Sequence, residues 1–252
     1  VLPQAVPLAA SRQGNPSPIP APPGLIAWWS GDGHASDFVG GHHGELVGSA
    51  TFGTGVVGQA FVLDGINGYV RVPNSDALNP KAEFSIECWV QSTCVGSRNI
   101  ISKWNLGTQD FSYCLQENGW YDRSAHRFTF ALSESSQIRS RFDLANLHGR
   151  RITVPHMWNH VAATFDGNAV RLYVNGSLDG TQAPATGRIH SGTADIIIGA
   201  FNAQNLSGQM GTPRCVIDEL CLYDRALTPA DIEAIHRADA AGKIKPEKGC
   251  PE

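Results

Sequence analysis

Two glutamates, a histidine cluster, a few aromatics near loops and six cysteines are the residues whose types and spacing could do chemistry in this sequence. Glu87 and Glu219 each lie in an alternating apolar run. Glycoside hydrolysis needs two acids roughly 5 to 10 Å apart across a sugar-binding cleft. The same pair serves as well in a structural role, hydrogen-bonded beneath a sheet or its loops, and that is the role expected here. His34, His42 and His43 lie beside Asp32 and Asp37. Imidazoles and carboxylates at this density can bind a transition metal, but the spacing follows no ligand motif, so an exposed polar loop is expected. His160 lies on a strand and reads as a satisfied, partly buried side chain. Trp104, Trp120 and Tyr121 are the sugar-stacking candidates, because the C–H face of a pyranose packs on an aromatic ring while polar groups read its hydroxyls. Arg139 and Arg141 are candidates for those polar groups. Rim packing competes for Trp104, and a protein contact for Trp120 and Tyr121.

Cys88, Cys94, Cys114, Cys215, Cys221 and Cys250 include no C-x-x-C pair, which argues against a zinc site. An even number of cysteines in a turn-rich chain suggests disulfides and an oxidising compartment, with the pairing left open. The sequence starts without Met or a signal peptide, so a processed N-terminus and a secreted, periplasmic or cell-surface location are expected.

The elements that must position these residues are mostly strands. The 252 residues are 42% hydrophobic, enough for a sizeable core, and the 27 glycines and 15 prolines favour short strands and tight turns. A net charge of −4 leaves no footprint for nucleic acid or an anionic membrane. No run approaches the roughly 18 apolar residues that span a bilayer. From Trp158 to Gly180, His160, Ala162 and Thr164 alternate with Val161, Ala163 and Phe165; Asp166-Gly167-Asn168 turns the chain, and Val170, Leu172 and Val174 alternate on the return. Further strands are read at 25–29, 45–47, 59–63, 69–72, 84–90, 100–104, 111–116, 127–132, 137–142, 196–199 and 216–223, the spacing of a sandwich. Residues 84–90 place Phe84, Ile86, Cys88 and Val90 on the core face. One helix is read, with Thr228 as N-cap, Pro229 at the first position, Asp231 in the first turn and Gly242 as a stop. Residues 1–23 form a proline-rich extended arm, either a linker or a contact for a partner subunit. Residues 241–252 form a polar tail, loose unless Cys250 ties it down.

Taken together, Leu25-Ile26-Ala27-Trp28-Trp29 with Asp32-Gly33, Gly58-Gln59-Ala60-Phe61 with Leu63-Asp64-Gly65, and Phe84-Ser85-Ile86-Glu87-Cys88-Trp89-Val90 form a recognisable order. Ile101-Ser102-Lys103-Trp104, the run Trp158–Gly167, Leu172-Tyr173-Val174-Asn175-Gly176, Ile217-Asp218-Glu219-Leu220 and Leu222–Leu227 continue it into the helix. Residues 24–240 resemble the laminin-G-like jelly-roll domains of the concanavalin A-like lectin/glucanase superfamily. The resemblance implies an all-β, two-sheet antiparallel jelly-roll sandwich with one concave face and one short C-terminal helix. It implies a non-catalytic extracellular binding or adhesion module for a glycan or protein ligand. An accessory subunit of a larger assembly is the second reading, and a polysaccharide-degrading enzyme the third. The Glu-x-Asp-x-x-Glu run of the superfamily's glycosidases is missing around Glu87. By the same resemblance a structural Ca²⁺ is expected at Asp32 and Asp218, with carbonyls from the 41–45 loop completing a hard oxygen shell. Cys88 and Cys221 depart from the family pattern and would form a cross-strand bridge if they shared one face. Extra length at 117–127 and 201–214 marks loops that can carry binding.

Overall fold

A computed structural model describes residues 16–79, 82–92, 98–105, 108, 110–117, 127–133, 144–180, 183–184, 189–200 and 214–246. In chain order the strands begin with β1 (Ile19–Pro20), β2 (Leu25–Trp29), β3 (Glu45–Val47), β4 (Thr51–Thr54), β5 (Gln59–Leu63) and β6 (Tyr69–Val72). They continue with β7 (Phe84–Ser92), β8 (Arg98–Asn105), β9 (Asp110–Glu117), β10 (Phe128–Ser133), β11 (Leu144–His148) and β12 (Trp158–Phe165). Last come β13 (Ala169–Val174), β14 (Ser177–Leu178), β15 (Ala183–Pro184), β16 (Ile196–Ile198), β17 (Cys215–Tyr223), helix α1 (Pro229–Ala238) and β18 (Lys243–Ile244).

A seven-stranded sheet has the order β11-β10-β9-β8-β16-β6-β3. The larger sheet has the order β14-β13-β12-β7-β17-β5-β4, with β15 on β13 and β2 on β17. The pairings within both are antiparallel. Their inner faces share one core: Phe84, Ile86, Cys88 and Val90 of β7 meet Tyr113 and Leu115 of β9 and Phe128, Phe130 and Leu132 of β10. The β12–β13 hairpin forms where the alternation places it, with Phe165 opposite Val170. Its turn is tied by Asp166, whose carboxylate accepts from the amides of Asn168 (3.0 Å) and Ala169 (2.8 Å). The predicted strand at 137–142 lies outside the described residues.

Strand β17 carries a bulge. Glu219 adopts a φ of 56°, and the register against β7 shifts between Asp218 and Cys221. One extra residue moves the side chains beyond it to the opposite face. Ile217, Leu220 and Leu222 therefore enter the core, while Cys221 joins Trp28, Tyr173 and Tyr223 on the outer face of the larger sheet. Cys88 lies in the core between the sheets, so the two do not share a face and the Cys88–Cys221 bridge that required it does not form. Cys88, Cys114 and Cys221 are buried thiols, and Cys215 is buried on the inner face. Cys94 and Cys250 lie outside the described residues.

Helix α1 covers part of that outer face through Ile232 and Ile235. Its start is a full capping box: Thr228 Oγ1 accepts from the Asp231 amide (3.1 Å), and the Asp231 carboxylate accepts from the Thr228 amide (2.9 Å). After a 3₁₀ turn at Asp239–Ala241 and Gly242 at φ 65°, the chain enters β18 instead of fraying. Strand β18 pairs in parallel with β1, so the last residues of the arm and the first of the tail hold each other on their own domain.

Candidate functional site

Two polar clusters lie on the outer faces. The first lies on the larger sheet, under α1 and β18. Glu87 of β7, on the face opposite the core, is 0% exposed. Its carboxylate accepts from Lys243 Nζ (3.0 Å), Tyr223 Oη (3.2 Å) and, with the ring's Nε2 protonated, His160 (3.1 Å). Burial alone would raise this acid; the Lys243 ammonium and His160 overcome that and hold it down at about 2. Lys243 Nζ also lies 3.4 Å from Glu219 Oε2 and 5.1 Å from the centre of the Trp28 ring. Burial raises the Glu219 carboxyl, with Lys243 pulling it back and Glu87 pushing it up. The Trp89 ring stacks on His236 and tilts against His160, sealing the cluster from the helix side. The two predicted acids are thus joined by one lysine and closed to solvent. Glu87 has the structural role expected of it. His160 is wholly buried, not partly, and its Nδ1 has no hydrogen-bond partner among the described residues.

Beside this cluster, the turn between β4 and β5 separates Asp32 from Asp218. Asp218 Oδ2 accepts from the amides of Val56 (2.7 Å) and Val57 (2.9 Å), while its Oδ1 is buried without a hydrogen-bond partner among the described residues. A side chain at Gly55 would collide with Asp218, and one at Gly58 with Asp32, so this turn must be glycine at both ends. Burial, with Glu219 and Asp32 nearby, pushes Asp218 up to about 8 against the pull of the Val57 and Val56 amides. Asp32 accepts from the Gln59 amide (2.8 Å) and from Lys245 Nζ. The 41–45 loop is organised by a different acid: Asp37 accepts from the amides of Trp28 (2.8 Å), Val39, Gly40 and His42 (2.9 Å each). His43 Nδ1 accepts from the Asp37 amide (3.1 Å) and His34 Nδ1 from the Ser36 amide (3.2 Å). These histidines serve the loop. Among the described residues no group of three or more His, Cys, Asp or Glu side chains could hold a metal ion.

The second cluster is on the outer face of the seven-stranded sheet. Asn99 stands opposite Gln116, Gln116 opposite Thr129, and Thr129 opposite His148, a polar row across β8 to β11. Gln116 Nε2 donates to Asn99 Oδ1 (2.6 Å), and Thr129 Oγ1 lies 3.2 Å from His148 Nδ1. Asn99, Gln116 and Thr129 are buried, and the row opens to solvent at His148. Trp104 is 3% exposed, its ring set edge-on against Phe111 and packed with Cys114 and Ala131. Trp120, Tyr121, Arg139 and Arg141 lie outside the described residues. The segments that carry them join β9 to β10 and β10 to β11, the strands that supply the row.

Sequence reasoning missed Lys103 on β8. It is fully buried, its Nζ donating to Asn74 Oδ1 (2.7 Å), Gly192 O (2.9 Å) and Ala194 O (2.7 Å). Burial pulls this amine down to about 8, against Asp110, Asp195 and Asp76, which hold it up. An unfolded lysine titrates near 10.4, so between about pH 8 and 10.4 the unfolded chain binds more protons, and folding stability rises with pH across that window. The rise, on the order of 1–3 kcal/mol, is expected in denaturant midpoints taken through the window and is lost in Lys103→Met.

Two stacked antiparallel sheets, a bulged β17 and a capped C-terminal helix define a jelly-roll sandwich. The chain belongs to the Concanavalin A-like lectin/glucanases superfamily, whose laminin-G family model matches residues 64–233. No curated protein matches the sequence. Among solved structures it is similar to domain 4 of AbnA, a GH43 extracellular arabinanase from Geobacillus stearothermophilus, in complex with arabinotriose. The two are 21% identical with a TM-score of 0.62 over 83% of this chain and 96% of that domain. It is also similar to the binding domain of Paraclostridial Mosquitocidal Protein 1, at 12% identity and a TM-score of 0.66 over 84% of this chain. The botulinum neurotoxin serotype G binding domain follows at 18% identity and 0.62, again over 84% of this chain. This chain spans about half the length of the two toxin domains, 52% and 50%. At these identities the likeness is one of fold. No helix among the described residues is long and apolar enough to cross a membrane.

Proposed function

We propose that the chain is a non-catalytic, extracellular binding module that recognises carbohydrate through the outer face of the seven-stranded sheet. The observation that carries this is the polar row Asn99–Gln116–Thr129–His148, which opens at His148 and lies at the strand ends joined by the β9–β10 connection, the segment that holds Trp120 and Tyr121. The exposed His148 imidazole can donate to and accept from sugar hydroxyls, with the buried Thr129, Gln116 and Asn99 in line behind it, and aromatics on the β9–β10 connection would stack on the ring. The similar arabinanase domain, solved with arabinotriose, favours a glycan over a protein surface as the ligand. Glu87 and Glu219 do not serve hydrolysis in this reading, because both are spent on Lys243 inside the protein. A secreted or cell-surface location goes with it. An accessory-subunit role draws no support from Ile19–Pro20, which pair with the chain's own tail. A glycan array probed with the full chain is the test. Retention of a defined oligosaccharide family without turnover is expected; turnover that disappears in Glu87→Gln would overturn the reading.

Calcium belongs to the same proposal. The buried Asp218 Oδ1, without a hydrogen-bond partner among the described residues, is the feature that fits a hard cation. Asp218 would hold the ion with carbonyl and water oxygens, and the ion would supply the positive charge this buried acid lacks. Asp32 would join only by exchanging Lys245 for the ion.

A further inference from the structure

The acids beside and beneath the C-terminal segment outnumber the cations that meet them. Glu87, Asp218 and Glu219 are buried, and Asp32 lies at their edge with its side chain 24% exposed. Apart from the His160 imidazole at Glu87, the cations paired with these acids among the described residues are Lys243 and Lys245. The two lysines are two residues apart in an extended segment, so both turn to one side while Ile244 between them faces out. Four carboxylates against two ammonium groups leave a deficit that one divalent cation would fill.

The two lysines are held differently. Lys243 is buried between Glu87 (3.0 Å) and Glu219 (3.4 Å). The Lys245 side chain is 36% exposed, and its Nζ donates to Asp32 Oδ2 and lies 4.6 Å from the centre of the Phe38 ring. An ion pair this exposed contributes little to stability and is open to exchange. Asp32 Oδ1 accepts from the Gln59 amide (2.8 Å), so Oδ2 is the oxygen held by the tail. Across the turn between β4 and β5, Asp218 Oδ1 is buried without a hydrogen-bond partner among the described residues. Resting on the calcium reading above, we propose that Lys245 is a tethered competitor for the ion: Asp32 serves either the tail or calcium. The two are then linked reciprocally, calcium loosening the segment from Lys245 onward and the seated lysine weakening calcium. Lys243 takes no part, because two buried acids hold it, and β18 stays in place on β1. Since the competitor belongs to the chain, its effective concentration is set by its tether and does not fall when the protein is diluted.

Calorimetric titration of calcium into the full chain tests this. Lys245→Gln is expected to bind calcium about fivefold more tightly than wild type, the effect of removing one unit charge about 4 Å away in water. Lys245→Arg keeps the charge and should bind as wild type does. The melting temperature without calcium should be nearly unchanged in both variants, because the pair is exposed. Amine labelling read by mass spectrometry gives a second signal: in wild type, Lys245 should be modified a few-fold faster with calcium present, while Lys243 stays protected. Equal calcium affinity in wild type and Lys245→Gln would overturn the competition and leave the calcium reading standing. So would labelling of Lys245 that does not respond to bound calcium. Calcium binding by neither protein would overturn both, whereas binding by Lys245→Gln alone would be the competition in its strongest form.

Discussion

Lys243→Ala is expected to lower the unfolding free energy by about 3–5 kcal/mol, the usual cost of removing one partner from a buried ion pair. Among the described residues Lys243 is the one lysine or arginine within 4 Å of Glu87, and it faces Glu219 as well. Its loss leaves an ionised acid at zero exposure with no ammonium to compensate it. Desolvation opposes its charged form, and Cys221, Glu87 and Glu219 more than offset that, so the amine stays protonated well above the usual lysine range. Glu87→Gln combined with Lys243→Met should recover most of the loss, because replacing both partners removes the uncompensated charge. Equilibrium urea denaturation checks the pair, and a Lys243→Ala cost below about 1 kcal/mol would show that the tail lysine is not a structural counter-ion. Proteolysis adds a second readout: the chain should resist cutting near β18 in the wild type and become sensitive there in Lys243→Ala.

Calcium is expected to raise the melting temperature by roughly 5–10 °C at about a hundredfold excess over its dissociation constant, and chelator should reverse the rise. Asp218→Asn should abolish the response. In the absence of calcium the same substitution should be close to neutral, because burial already pushes the Asp218 carboxyl up to about 8 and an amide mimics its protonated form. Its carbonyl can still accept from the Val56 and Val57 amides, which hold Oδ2 at 2.7 and 2.9 Å. A substitution harmless without the ion and costly with it separates a ligand from a residue that merely packs. A melting temperature indifferent to both calcium and chelator would remove calcium from the account.

Much of the scaffold was legible because local pattern and tertiary structure agree. The alternation through Phe84–Val90, the Asp166 turn and the Thr228–Asp231 capping box each match their structural role. The failures have specific causes. Counting by twos along β17 places Cys221 on the same face as Ile217, and only the positive φ at Glu219 reveals the extra residue that turns it outward. Strand β11, Leu-Ala-Asn-Leu-His, has no β-branched or aromatic residue and no strict alternation, so nothing local marks it. Lys243 sits in a segment that reads as a solvated tail. Its burial depends on Glu87 and Glu219, two acids remote in sequence that a single chain gives no means of pairing with it. Asp37 was noticed as a metal candidate, yet its oxygens are spent on four backbone amides, a role invisible without the loop's path. The candidate binding face was legible only in part. Trp120 and Tyr121 could be named as loop residues, and Arg139 and Arg141 as residues of an expected strand, whereas the row from Asn99 to His148 needed the registers of four strands.

The central claim is recognition without catalysis at that row. Titration of the best array ligand into wild type, His148→Ala and Trp120→Ala, followed in parallel for release of new reducing ends, tests it most directly. The account predicts about tenfold weaker binding in each variant at unchanged melting temperature, from the loss of one hydrogen-bonding or stacking contact, and no reducing ends from any of the three proteins. Equal affinity in all three, or reducing ends released by the wild type, would contradict it.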